Sequence, residues 1–180
     1  MKKNKIFVAC DSTNISRIKQ IIKKTKNSQI KVGYKFGLEF LNSKNGRNFI
    51  SKLNKEIIFA DLKIHDIPNT CESSIKALKD LKIDYLTIHI SSGLEALRVA
   101  KKASGKIKLI GVTILTSLDN RALREIGFNK DVKKLVVHQA KLANKAKLDA
   151  IVCSAQEVNL VKKVFKKEII TPGIRFSSKL

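Results

Sequence analysis

Ile57-Ile58-Phe59-Ala60-Asp61-Leu62-Lys63-Ile64-His65-Asp66-Ile67-Pro68-Asn69-Thr70 joins an apolar run to a helical segment through a polar hinge. Residues 57–60 read as a buried strand, and the decapeptide 61–70 reads as its carboxyl end and the loop beyond. Alternate residues of a strand share a face about 6.6 Å apart. Asp61 and Lys63 therefore stand side by side, oppositely charged, on a surface whose other members are apolar. Such burial is costly unless the charges are paired. Asp66 falls just past the strand, and Pro68 suits the first turn of a helix, where its missing N–H costs nothing. Taken alone, an Asp-x-Lys pattern of this kind is a buried ion pair followed by a helix-capping aspartate; the rest of the chain turns it into a candidate site.

Outward from that stretch, short apolar runs recur at residues 6–10, 30–33, 85–90, 109–115, 150–153 and 169–170. Near-continuous apolar strands are buried on both faces, the habit of parallel sheets. Between them Ile15, Ile18, Ile21 and Ile22 keep helical spacing, as do Val132, Leu135, Val136, Leu142 and Ala146, and then Val158, Val161, Val164 and Phe165. Strand and helix alternating at this pace predict βαβ units and an α/β fold. Polar residues gather where the strands end: Asp11, then Asp61 and Lys63, His89 and Ser91, Thr116 and Ser117, Ser154, and Arg175. A ring of polar strand ends is the carboxyl face of a (β/α)8 TIM barrel, where active sites sit. The open doubly wound sheet is the competitor, but no G-x-G-x-x-G follows the first strand. With neither linker nor repeat, residues 1–180 are expected to form a single barrel domain with about seven strands.

Composition narrows the function. The formal charge of +22 from 37 basic and 15 acidic residues invites a nucleic-acid reading. Only six of the basic residues are Arg, the better reader of phosphate and base edges. The lysines are also spread along nearly every helix, so a solvated surface that draws in a small anion is the expectation, with no nucleic-acid partner. Cys10, Cys71 and Cys153 are scattered, and with three His they signal neither a disulfide framework nor a metal site. No apolar run is long enough for a bilayer, and the basic start is followed by too few apolar residues for a signal peptide. A cytoplasmic location without membrane attachment is expected.

Both prolines fall in suspected site loops. Pro172 lies in Thr171-Pro172-Gly173-Ile174-Arg175, at the end of the seventh run. Loops after the last strands of a barrel commonly bind phosphate; Gly173 permits close backbone approach and Arg175 offers two donors. With these residues in place the chain resembles the bacterial type of orotidine 5′-phosphate decarboxylase. The motifs are Ala9-Cys10-Asp11, Lys31-Val32-Gly33, residues 61–70, Val112-Thr113-Ile114-Leu115-Thr116-Ser117, Val152-Cys153-Ser154-Ala155-Gln156-Glu157 and Thr171-Pro172-Gly173-Ile174-Arg175, in that order. The decapeptide is highly specific; the others weigh jointly.

The resemblance implies a carboxy-lyase that needs no cofactor, converts orotidine 5′-monophosphate to uridine 5′-monophosphate and CO2 in pyrimidine biosynthesis, and works as a homodimer with shared active sites. It further implies that Lys31, Asp61, Lys63 and the Asp66 of a second copy form the charge array at the reacting carbon, with Lys63 as proton donor. Asp11 and Lys31 would hold the ribose, Thr70 of the second copy would reach its hydroxyls, Thr116 would touch the pyrimidine and Arg175 would bind phosphate. Loss of CO2 from C6 leaves an electron pair in the ring plane, outside the π system. An ammonium placed there in advance stabilises that charge and then delivers a proton. His65 and His89 are expected to be structural, since one acid suffices.

The chain departs from the family in its last part: the phosphate-gripping loop, the eighth strand with a second phosphate-binding Arg, and the final helices are expected to be missing. The alternatives are a truncated, inactive family member, or a related metal-dependent phosphosugar decarboxylase that shares the D-x-K-x-x-D arrangement. The continuation Ile67-Pro68-Asn69-Thr70 favours the nucleotide enzyme.

Overall fold

A computed structural model describes residues 5–26 and 29–174. In chain order the elements are β1 (Lys5–Ala9), α1 (Ile15–Thr25), β2 (Lys31–Gly37), α2 (Leu38–Leu41), α3 (Gly46–Ser51), β3 (Ile57–Ile64), α4 (Pro68–Ala77), β4 (Tyr85–His89), α5 (Leu94–Ser104), β5 (Lys108–Val112), α6 (Asn120–Glu125), α7 (Val132–Lys145), β6 (Ala150–Val152), α8 (Val158–Val164) and β7 (Glu168–Ile170). The seven strands form one sheet in the order β1-β2-β3-β4-β5-β6-β7, with every neighbouring pair parallel. Sequential order with a helical crossover after nearly every strand is TIM-barrel topology. Among the described residues no helix is long and apolar enough to cross a membrane.

Two apolar cores divide the labour. The larger lies between the outer face of the sheet and the helices; Phe36, Ile58, Leu86, Ile88, Leu109 and Ile151 meet Ile18, Ile75, Leu97, Val136 and Val161 there. Most of these are fully buried, which is what the near-continuous apolar strands require. The smaller fills the barrel interior with Phe59, Tyr85, Ile110 and Ala150, flanked by Phe7, Ile57, Val152 and Ile170. Phe7 sets its ring edge-on to Phe59 at 5.0 Å and to Tyr85 at 5.1 Å. Each such pair adds about 0.5–1.5 kcal/mol beyond area burial. It fits because β2 offers Gly33 opposite: a Cβ there would lie 2.8 Å from the Phe7 ring.

The interior is layered along the strands. On β4 the alternate residues Tyr85, Thr87 and His89 climb from the amino-terminal floor to the carboxyl rim, and on β3 Ile57, Phe59 and Asp61 do the same. At the floor Lys5 donates to Glu168 at 3.0 Å and to the Tyr85 hydroxyl, and Lys108 reaches Glu168 at 3.5 Å. Since β1 and β7 are the outer strands of the sheet, this cluster joins its two edges across the interior.

Candidate active site

β3 positions the site by breaking its own ladder. Its register against β4 shifts between Ala60 and Ile64, and Lys63 takes a left-handed backbone with φ of 48°. A non-glycine residue in that region costs on the order of 1–3 kcal/mol and marks a held conformation. Two bonds hold it. The Lys63 N–H donates to Thr87 Oγ1 at 2.8 Å, and its Nζ donates to Asp61 Oδ2 at 2.9 Å. The expected pairing of Asp61 with Lys63 is present, but through this bulge and not through regular strand alternation.

Lys35 completes the array. Its Nζ lies 3.4 Å from Asp61 Oδ2 and 3.4 Å from Asp11 Oδ1. Asp11, Lys35, Asp61 and Lys63 thus form a chain of alternating charge at the carboxyl rim of β1, β2 and β3. The Asp61 side chain is only 13% exposed while that of Asp11 is 62% exposed, so Asp61 is the inner member and Asp11 faces solvent. Lys35 Nζ and Lys63 Nζ both face the one oxygen, Oδ2. The other, Oδ1, accepts from the Thr87 hydroxyl at 3.0 Å.

The lysine expected from the motif Lys31-Val32-Gly33 is a correction. Lys31 begins β2, faces solvent, and registers with Lys5 at the floor of the barrel. The apolar run ends at Gly33, but β2 continues to Gly37 with Tyr34 and Phe36 packed outward. That extension carries Lys35 to the rim, where the array needs a cation. The sequence signal was present: Tyr34-Lys35-Phe36 is a lysine between two β-favouring aromatics in period two. Thr87 was also missed; a polar residue in the middle of an apolar run is its signal.

The remaining expected residues spread around the rim. Asp66 is exposed, and its Oδ1 accepts the Ile67 N–H at 2.7 Å. It does not cap the helix, because Ile67 is the N-cap and Pro68 opens α4. Among the described residues Asp66 makes no ion pair. Thr70 is half-buried in the first turn of α4, and Thr116 lies exposed in the turn after β5. Gly173 has φ of 76°, a conformation glycine adopts without strain, while Arg175 lies outside the described residues. His65 stacks against His89 at 5.0 Å between ring centroids and approaches Ser91 Oγ at 3.3 Å through Nε2. Burial, then His65 and Lys63, push the His89 pKa below its ordinary value. Burial raises the Cys10 and Cys153 thiols to about 11, so they behave as small apolar residues and not as nucleophiles.

The model of the orotidine 5′-phosphate decarboxylase / HUMPS family matches residues 4–179. The chain belongs to that family. A protein of Wolbachia pipientis subsp. Culex pipiens named orotidine 5′-phosphate decarboxylase is 41% identical over 97% of this chain and 78% of its own length. One of the same name from Carboxydothermus hydrogenoformans is 38% identical over 95% of this chain and 75% of its own length. Among solved structures, an orotidine 5′-phosphate decarboxylase from Lactobacillus acidophilus superposes with a TM-score of 0.85 at 33% identity, covering 96% of this chain and 82% of that one. An uncharacterised conserved protein from Geobacillus kaustophilus gives 0.84 at 27% identity, covering 92% and 82%. The matched range of the family model includes Asp11, Lys35, Asp61, Lys63 and Thr87.

Proposed function

We propose that this barrel domain decarboxylates orotidine 5′-monophosphate to uridine 5′-monophosphate, as a cytoplasmic homodimer of the pyrimidine pathway. The observation that carries the reading is Asp61 Oδ2 facing the ammoniums of Lys63 and Lys35 at 2.9 and 3.4 Å, inside a family whose relatives bear that enzyme's name. The bond from C6 to the carboxylate breaks, CO2 leaves, and the electron pair stays on C6 in the ring plane. Lys63 Nζ, with a fixed backbone and a carboxylate at its side, stabilises that charge as it develops and then transfers a proton to C6. Its positive charge is set in place before the reaction, so little reorganisation accompanies bond breaking.

Lys35 keeps Asp61 from facing the substrate carboxylate as an uncompensated charge and, with Asp11, reaches the ribose hydroxyls. Thr116 contacts the pyrimidine and Arg175 takes the phosphate, whose remote binding energy is available for closure and positioning. Asp66 and Thr70 serve the site of the second copy. The exposed carboxylate of Asp66 and the 65% exposure of neighbouring Ile67 suit a surface that another chain covers.

The test follows the ultraviolet change on loss of orotidine monophosphate, without added metal and with a chelator present. Turnover is expected to survive chelation, and the active species to sediment at twice the 20.2 kDa chain mass. Lys63→Ala should reduce kcat by a far larger factor than it weakens binding of uridine monophosphate. Equal losses of the two would remove Lys63 from the chemical step, and loss of turnover on chelation would favour the metal-dependent lyase.

A further inference from the structure

Thr87 is buried with no exposed surface, in the middle of β4, and both hydrogen bonds of its hydroxyl are directed at the array. Its hydroxyl accepts the Lys63 N–H at 2.8 Å and donates to Asp61 Oδ1 at 3.0 Å. A hydroxyl has one proton to give. With its oxygen engaged by an N–H, that proton goes to Asp61, which fixes Oδ1 as an acceptor and leaves Oδ2 for the two lysines. One side chain on a neighbouring strand thereby sets both the left-handed turn that aims Lys63 and the rotation of the carboxylate that aligns it.

We infer that Thr87 is a positioning residue for the decarboxylation, acting through Asp61 and the Lys63 backbone. This rests on the function proposed above. Removing the hydroxyl while keeping the shape, as in Thr87→Val, leaves the Lys63 N–H without its partner and frees the Asp61 carboxylate to rotate. The lysine then keeps its charge but loses its aim, and displacement of a reacting group by about 1 Å costs on the order of a hundredfold in rate.

The experiment compares the parent chain with Thr87→Val and Thr87→Ser in kcat, KM and hydrogen exchange at the Lys63 amide. The valine variant is expected to lose about a hundredfold in kcat with KM little changed and to exchange the Lys63 amide faster. The serine variant, which keeps the hydroxyl, should recover most of the rate and the protection. Equal impairment of both variants would show that the methyl group matters and would overturn the inference. So would a valine variant that keeps the parent's kcat. If valine does not fold, Thr87→Cys replaces it, since a thiol donates only weakly, and its rate should then fall well below that of serine. A parent chain without turnover would refute the proposed function, while Thr87 would still be judged by exchange: equal Lys63 amide exchange in parent and variant refutes the positioning.

Discussion

Two lysines on β2 differ in fate because of four residues of strand. At about 3.3 Å per residue, Lys31 and Lys35 are about 13 Å apart along β2, more than a lysine stem can span. Only Lys35 reaches Asp61 and Asp11. Lys35→Ala is therefore expected to lower kcat/KM for orotidine monophosphate by on the order of a hundredfold or more, as when a preset charge is taken from a poorly hydrated site. Lys31→Ala should stay within about twofold of the parent. Steady-state kinetics on the two variants decides it, and the opposite pattern would return the site to the first lysine. At this scale the sequence disclosed Asp61 and Lys63 through the cost of burying a charge without a partner, and Asp11 as a polar residue closing an apolar run at the carboxyl rim. It disclosed Lys35 poorly, because a strand's end is set by its neighbours' hydrogen bonds and not by where its own apolar run stops.

Among the elements, the connection between β2 and β3 is held by aromatic rings. α2 and α3 pack end to end within residues 38–51, and Phe40 sets its ring 5.0 Å from Phe36 and 5.7 Å from Phe49. Gly46 opens α3 against the backbone of α2, where a Cβ would collide with the Phe40 carbonyl oxygen. Backbone cannot yield as a side-chain tip does, so Gly46→Ala should destabilise by at least the roughly 1–3 kcal/mol typical of overpacking, read as a lower urea midpoint with an unchanged slope. The same logic explains why element type was legible and element extent was not. The periodicity of α1, α7 and α8 and the proline at the start of α4 are local signals. The bulge in β3 is a compromise between two strands, and no local pattern announced it.

For the whole molecule, the floor cluster is what ties the outer strands together: Lys5 on β1 and Glu168 on β7 meet across the interior with Tyr85 and Lys108 between them. Burial lowers the Lys5 pKa, but hydrogen bonds to Tyr85 and Glu168 outweigh it, and the net position is above the ordinary 10.5. A cation whose pKa is raised on folding contributes stability that is full below 10.5 and fades as pH climbs through the raised value. Thermal melts should therefore fall in Tm above that pH. Glu168→Gln should melt lower at neutral pH and show a shallower decline, and an unchanged alkaline profile in that variant would dismiss the cluster as a tie between the edges. The sequence by itself determined the βαβ alternation, the barrel with its polar carboxyl rim, and the decapeptide that points to the family, because burial and helical spacing are written in the order of residues. Only the tertiary structure decided which lysine meets Asp61, that Lys63 is aimed from a left-handed turn, and that a threonine from the next strand holds both. These depend on the register of separate strands, and register is fixed by hydrogen bonds between segments that the linear order does not bring together.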